Sequence, residues 1–102
     1  MRHLIVRPEA EADLTTAALW YESRKRGLGL EFLADLQQSV TRALRQPHAC
    51  LRIRKTPEVR RILARQFPYR IFFILRFDAL VVFAVLHAAR HDRLWKQRLR
   101  RV

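Results

Sequence analysis

Three arginines in the second half of the chain, Arg61, Arg65 and Arg70, are interleaved with apolar Leu63 and Phe72. Guanidinium groups beside apolar neighbours suit the binding of phosphates or carboxylates, which they grip through paired N–H donors. Further on, Arg90 and His91 are adjacent, with Trp95 just behind. His87 and His91 are four apart, which on a helix would suit two metal ligands. No third ligand accompanies them, since His48 and Cys50 lie in a distant loop, and His87 falls at a strand end where it is expected to hydrogen-bond within the fold. No serine–histidine–acid set, paired catalytic carboxylates or phosphate-cradling glycine motif is present. The expectation is a cationic binding surface with no metal and no cofactor.

Charge points the same way. The 102 residues carry a formal net charge of +12, unevenly spread. Residues 1–41 hold five basic and six acidic side chains, whereas residues 42–102 hold sixteen basic ones against only Glu58, Asp78 and Asp92. So one-sided a distribution expects a polyanionic partner, either nucleic acid or an acidic protein. Length and composition fit one globular domain spanning residues 1–102. No run of twenty apolar residues exists, so no membrane span is expected. The N-terminus meets Pro8 and Glu9 too early for a signal-peptide core, and the lone Cys50 forms no intramolecular disulfide, so a cytoplasmic location is expected.

The elements that position these residues are legible from periodicity. Residues 2–6 read as a strand. Pro8 suits a first helical turn, and Ala10, Leu14, Ala17, Ala18 and Tyr21 recur at helical spacing, giving helix 9–25 closed by Gly27. Phe32, Leu33, Leu36, Val40, Ala43 and Leu44 form the stripe of a second helix, with Glu31, Asp35, Gln38, Arg42 and Arg45 on its other side and Pro47 as its stop. The two make an antiparallel helical hairpin.

The period then changes. Val59–Arg65, Tyr69–Phe77 and Leu80–Ala88 read as three antiparallel strands, and residues 90–101 as a short final helix that Trp95 anchors to the sheet. The expected fold is α+β, with the helical hairpin packed on a mostly antiparallel sheet. Tyr69, Ile71, Phe73 and Leu75 should face the hairpin. Arg70, Phe72, Ile74 and Arg76 should face away, leaving an uncovered apolar patch ringed by arginines, the kind of surface that marks a partner site.

Particular fragments occur in a telling order: Glu11-Ala12-Asp13-Leu14 with Trp20-Tyr21; Gly27-Leu28-Gly29 with Glu31-Phe32; Val59-Arg60-Arg61; Phe67-Pro68-Tyr69-Arg70-Ile71; and Val85-Leu86-His87-Ala88-Ala89-Arg90 with Trp95 and Arg98. Together they resemble the RelE/ParE toxins of type II toxin–antitoxin systems over nearly the whole chain. The resemblance implies a cognate antitoxin that wraps and neutralises the toxin, and the toxin is expected as a homodimer or as a heterotetramer with that antitoxin. It also implies one of two targets. RelE-like members cut messenger RNA on the ribosome; ParE-like members poison DNA gyrase.

Under the nuclease alternative, Arg61, Arg70 and Arg90 match basic positions of the family site, and the catalytic set would be Arg70, Arg90 and His91. Metal-independent RNA cleavage needs a base, an acid and cations around the phosphorane. Leu63 stands where a second strand lysine is expected, and no tyrosine follows Tyr69. The fragments are more ParE-like, and the reading favours a gyrase inhibitor that binds antitoxin and target through Arg61, Leu63, Arg65, Arg70, Phe72, Arg90 and Trp95. A non-toxic nucleic-acid-binding module, motivated by charge alone, ranks third.

Overall fold

The computed structural model describes residues 2–102. The chain runs β1 (His3–Val6), α1 (Pro8–Arg24), α2 (Leu28–Arg45), a short 3₁₀ turn (Pro47–Ala49), β2 (Leu51–Arg54), β3 (Val59–Leu63), β4 (Tyr69–Leu75), β5 (Ala79–His87) and α3 (Arg93–Leu99). The five strands form one sheet in the order β1-β5-β4-β3-β2. Only the β1–β5 pair is parallel; the rest are antiparallel. This is the expected α+β architecture. Among the described residues no helix is long and apolar enough to cross a membrane.

The hairpin of α1 and α2 closes on two glycines. Gly27 has φ +87°, a left-handed conformation that L side chains rarely adopt. At Gly29 a Cβ would lie 2.6 Å from the Ala18 carbonyl oxygen, so only glycine lets the helices approach this closely. The Glu22 carboxylate stitches the turn by accepting the N–H groups of Gly27 at 2.9 Å and Gly29 at 3.0 Å.

The expected hairpin-facing residues do meet the helices. Phe32 and Leu36 pack with Ile71, Phe73, Leu80, Val82 and Val85 in one core. Tyr21, Phe67 and Tyr69 ring Phe32 with centroid separations of 4.8 to 6.2 Å among them. β4 and β5 slip register between Phe72 and Phe73, so that Ala84 and Val82 are their partners and Phe83 is the extra residue. The bulge puts Phe83 and Ala84 on the same face of the sheet, so β5 is buried on both sides.

Three sequence expectations need correction. First, the far side of the sheet is not an exposed patch. Phe72 is 0% and Ile74 3% exposed, because α3 covers them. Trp95 stacks on Phe72 with centroids 5.7 Å apart and planes 20° from parallel, and Leu99 packs beside it. The tail does more than anchor itself: it supplies the lid of a second core. Second, Asp35 does not lie on the solvent side of α2. It is 3% exposed, and its carboxylate accepts the backbone N–H groups of Arg65, Gln66 and Phe67 at 3.2, 3.0 and 2.9 Å. Those bonds draw residues 65–67 out of the ladder, so β3 ends at Leu63 rather than Arg65. β4 stops at Leu75 because Arg76 and Ala79 close the hairpin, leaving Phe77 in the turn. Third, β2 was not anticipated. Leu51-Arg52-Ile53-Arg54 is a four-residue edge strand with too few apolar residues to show a period.

Candidate functional site

Arg70 is the most constrained cation of the proposed site. It comes from the middle strand, β4, and is 8% exposed. Nη1 donates to Asp92 Oδ1 at 2.9 Å, and Nη2 to the Arg90 carbonyl at 2.7 Å. Its guanidinium carbon stands 5.1 Å from the Phe72 ring centroid, a cation–π distance. Nε is buried without a partner. Arg70 therefore ties β4 to the segment that leads into α3, and its hydrogen bond holds the Asp92 carboxyl below the usual carboxylate range. Arg70 opens on a cleft of about 380 Å³ bordered by Arg54, Arg61, Asp92 and Lys96, with Phe72 and Trp95 at its base.

A second cleft, about 590 Å³, runs between the last turn of α2 and the end of β3. Arg42, Arg45, Arg61, Leu51, Leu63 and Arg65 line it, with no acidic residue among the lining. Its walls are fixed from behind. Asp35 holds the backbone at Arg65, and Arg42 Nη2 donates to Ser39 Oγ at 2.9 Å and reaches the Leu63 carbonyl at 3.4 Å. Arg60 donates to the Cys50 carbonyl at 2.7 Å and to Glu58 at 2.7 Å, pinning the 3₁₀ turn to β3. Burial pushes the Cys50 thiol up from its ordinary pKa, which disfavours the thiolate near neutral pH.

A third cleft, about 730 Å³, lies between α1 and the end of β5, lined by Asp13, Trp20, Tyr21, Tyr69, His87, Arg90 and Arg98. Asp13 is its keystone. Its carboxylate accepts the Val85 backbone N–H at 2.9 Å and both Nη1 and Nη2 of Arg98, the latter at 2.8 Å. The pair joins α1, β5 and α3, and occupies the outer edge of β5 beyond the end of β1. Burial, then the nearby Tyr21, raises the Tyr69 hydroxyl pKa.

The residues singled out from sequence thus divide. Arg61, Leu63 and Arg65 come together in the second cleft, and Arg61 also borders the first. Arg70, Phe72 and Trp95 form the first, but Phe72 offers no surface and Trp95 only 6%. The side chain of Arg90 lines the third cleft, on the hairpin side, so only its carbonyl reaches Arg70. His91 is exposed, and its Nδ1 accepts the Arg93 N–H at 3.0 Å. His87 Nδ1 likewise accepts the Ala89 N–H at 3.0 Å. Among the described residues no cluster of three or more His, Cys, Asp or Glu is arranged to hold a metal.

Sequence reasoning missed Asp13, Asp35, Arg42, Arg45, Arg54, Asp92 and Lys96 as parts of these surfaces. For the first two a signal existed. Asp13 sits three residues after Ala10 and four before Ala17, inside the apolar stripe of α1, and Asp35 stands in the same relation to Phe32 and Ser39. A carboxylate within a buried stripe must find donors in the fold.

These features define a small α+β scaffold with arginine-lined clefts on several sides. The chain belongs to the family described as the ParE toxin of type II toxin–antitoxin system, parDE, whose model matches residues 4–92. It is therefore a RelE/ParE-type toxin of a type II system, and membership implies an antitoxin partner. The matched span runs from β1 to Asp92 and stops short of α3. Among curated proteins, none matches the chain.

Proposed function

We propose that this toxin arrests growth by binding DNA gyrase, and that its cognate antitoxin neutralises it by covering the basic clefts. The observation that carries this reading is the dispersal of the groups a nuclease would need. Arg70 is committed to Asp92 and the Arg90 carbonyl, Arg90 projects to the hairpin side, and the His91 Nδ1 is taken by a backbone N–H. General acid–base catalysis needs its donor and acceptor within about 3 Å of the reacting atoms, and none of the three clefts described above is lined by all three residues. Arginine is moreover too basic to exchange protons readily near neutral pH. A gyrase inhibitor needs none of this; it needs charged and apolar surface. Purified protein is expected to inhibit gyrase supercoiling and to leave mRNA on programmed ribosomes intact. Supercoiling that continues unimpaired at high protein excess counts against the reading.

One observation favours the endoribonuclease alternative. The first cleft brings Arg54, Arg61 and Lys96 together beside Arg70, with Asp92 the one carboxylate among them, a net cationic setting suited to a phosphate. Cleavage by primer extension that disappears in Arg61→Ala would support it.

A further inference from the structure

We propose that the outer face of α3 binds the phosphate backbone of double-stranded DNA. The helix has two distinct sides. Trp95 and Leu99 turn inward onto the sheet, and Arg98 turns inward onto Asp13. Arg93, Lys96 and Gln97, with Arg100 at the C-terminal end, recur at helical spacing on the other side, and all four are exposed. Residues 93–101 hold five basic side chains and no acidic one. Arg93, Lys96 and Arg100 enter no ion pair among the described residues. Asp92, the carboxylate just before the helix, is held by Arg70 at 2.9 Å. The other two helices differ in this respect. Glu11 and Glu22 offset Arg24 on the exposed side of α1, and Glu31 offsets Arg45 on that of α2. Mixed signs suffice to keep a protein soluble, whereas a face of one sign repels itself until an anion arrives.

Spacing and composition select the anion. From Arg93 to Arg100 the helix advances about 10 Å, while the phosphates of one DNA strand follow at about 3.4 Å along the axis. Arg93, Lys96 and Arg100 can therefore each meet a phosphate of a single strand. No large apolar side chain opens on this face, since Trp95 and Leu99 are only 6% and 9% exposed. A peptide partner is held by apolar and aromatic anchors, and a single strand by aromatic platforms on which its bases stack. A duplex backbone needs only cations and amide donors such as that of Gln97. Arg54 and Arg61 border the same cleft as Lys96 and carry the basic track on to β2 and β3. The family match stops at Asp92, short of α3, so this contact is separate from what membership implies. In naming DNA rather than another duplex, the inference rests on the gyrase reading above; the match to a duplex backbone does not.

The test uses the full chain and a fluorescein-labelled DNA duplex of about 20 base pairs, with polarisation read between about 50 and 200 mM salt. In Arg93→Gln/Arg100→Gln, affinity at the lower salt should fall at least about tenfold. The slope of log K against log salt should shrink by about 1.8, the loss of two phosphate contacts. Lys96→Gln alone should shrink it by about 0.9. Lys25→Gln/Arg26→Gln removes the same charge from the exposed turn between α1 and α2, and should cost about twofold or less with the slope unchanged. Equal losses in the two double variants, or an unaltered slope in those of α3, would reduce the contact to general electrostatic attraction and overturn the proposal. So would a single strand, or polyglutamate, that binds as tightly as the duplex and is lost in the same variant. Duplex RNA of the same length should bind more weakly; equal binding would overturn the assignment to DNA. Gyrase supercoiling in the presence of the unmodified chain reads the target alone. Inhibition without duplex binding removes the α3 contact and leaves the gyrase reading standing; duplex binding without inhibition does the reverse.

Discussion

Arg70 and Asp92 join across 22 residues of sequence at 2.9 Å, and through them the central strand holds the segment that places α3. An arginine with the sequence context of a binding residue is thus engaged as a strut. Replacing it by methionine should leave the Arg90 carbonyl without its partner and loosen Trp95 from Phe72. The expected cost is about 1–3 kcal/mol, read from urea unfolding. A variant as stable as the parent would show that α3 docks without this tie.

The same pair gives stability a defined pH dependence. The hydrogen bond from Arg70 holds Asp92 below its ordinary value of 3.8, and that from Arg60 holds Glu58 below 4.5. Both carboxyls release protons more readily when folded than when unfolded. Their stabilising contribution is therefore full above the ordinary values and fades as pH falls through the lowered ones. Between pH 6 and pH 3 the urea midpoint should drop, and it should drop less in Asp92→Asn. An identical acid limb in that variant would contradict the assignment.

Asp35 makes a sharper case, because its carboxylate accepts three backbone N–H groups while nearly excluded from water. Asp35→Ala should cost about 3 kcal/mol and release residues 65–67. Hydrogen exchange at the amides of Arg65, Gln66 and Phe67 should quicken more than exchange in β5. Uniform change across the sheet would place the loss elsewhere.

Cys50 reports on the same region. It is 8% exposed, and burial raises its thiol pKa. Alkylation near neutral pH should be slow in native protein and rapid in urea, with a transition that tracks global unfolding. Rapid native labelling would mean that the 3₁₀ turn opens independently of the fold.

Much of the fold was legible in the sequence, for physical reasons that particular residues display. The stripe Phe32–Leu36–Ala43 and the alternation Ile71–Phe73–Leu75 register burial directly, so the hairpin and the face of β4 that meets it were recoverable. The second core was harder to read. Trp95 and Leu99 cover Phe72 and Ile74 from a seven-residue helix so rich in charge that its one buried side gives a faint period. β2 is shorter still. The candidate site suffered from a different ambiguity: alternation tells which face of a strand an arginine leaves from, not whether a carboxylate waits for it. Arg70 meets Asp92 and Arg98 meets Asp13, whereas Arg61 and Arg65 open on a groove without acids. Only the tertiary fold separates the two pairs.

The central claim, a toxin that acts on gyrase by binding, is tested most directly in cells. The protein would be induced from a tightly repressed promoter while DNA and protein synthesis are pulse-labelled separately. DNA synthesis is expected to fall early while translation continues. An early fall in translation with DNA synthesis sustained would contradict it and return attention to the Arg54–Arg61–Lys96 cleft as a ribonuclease site.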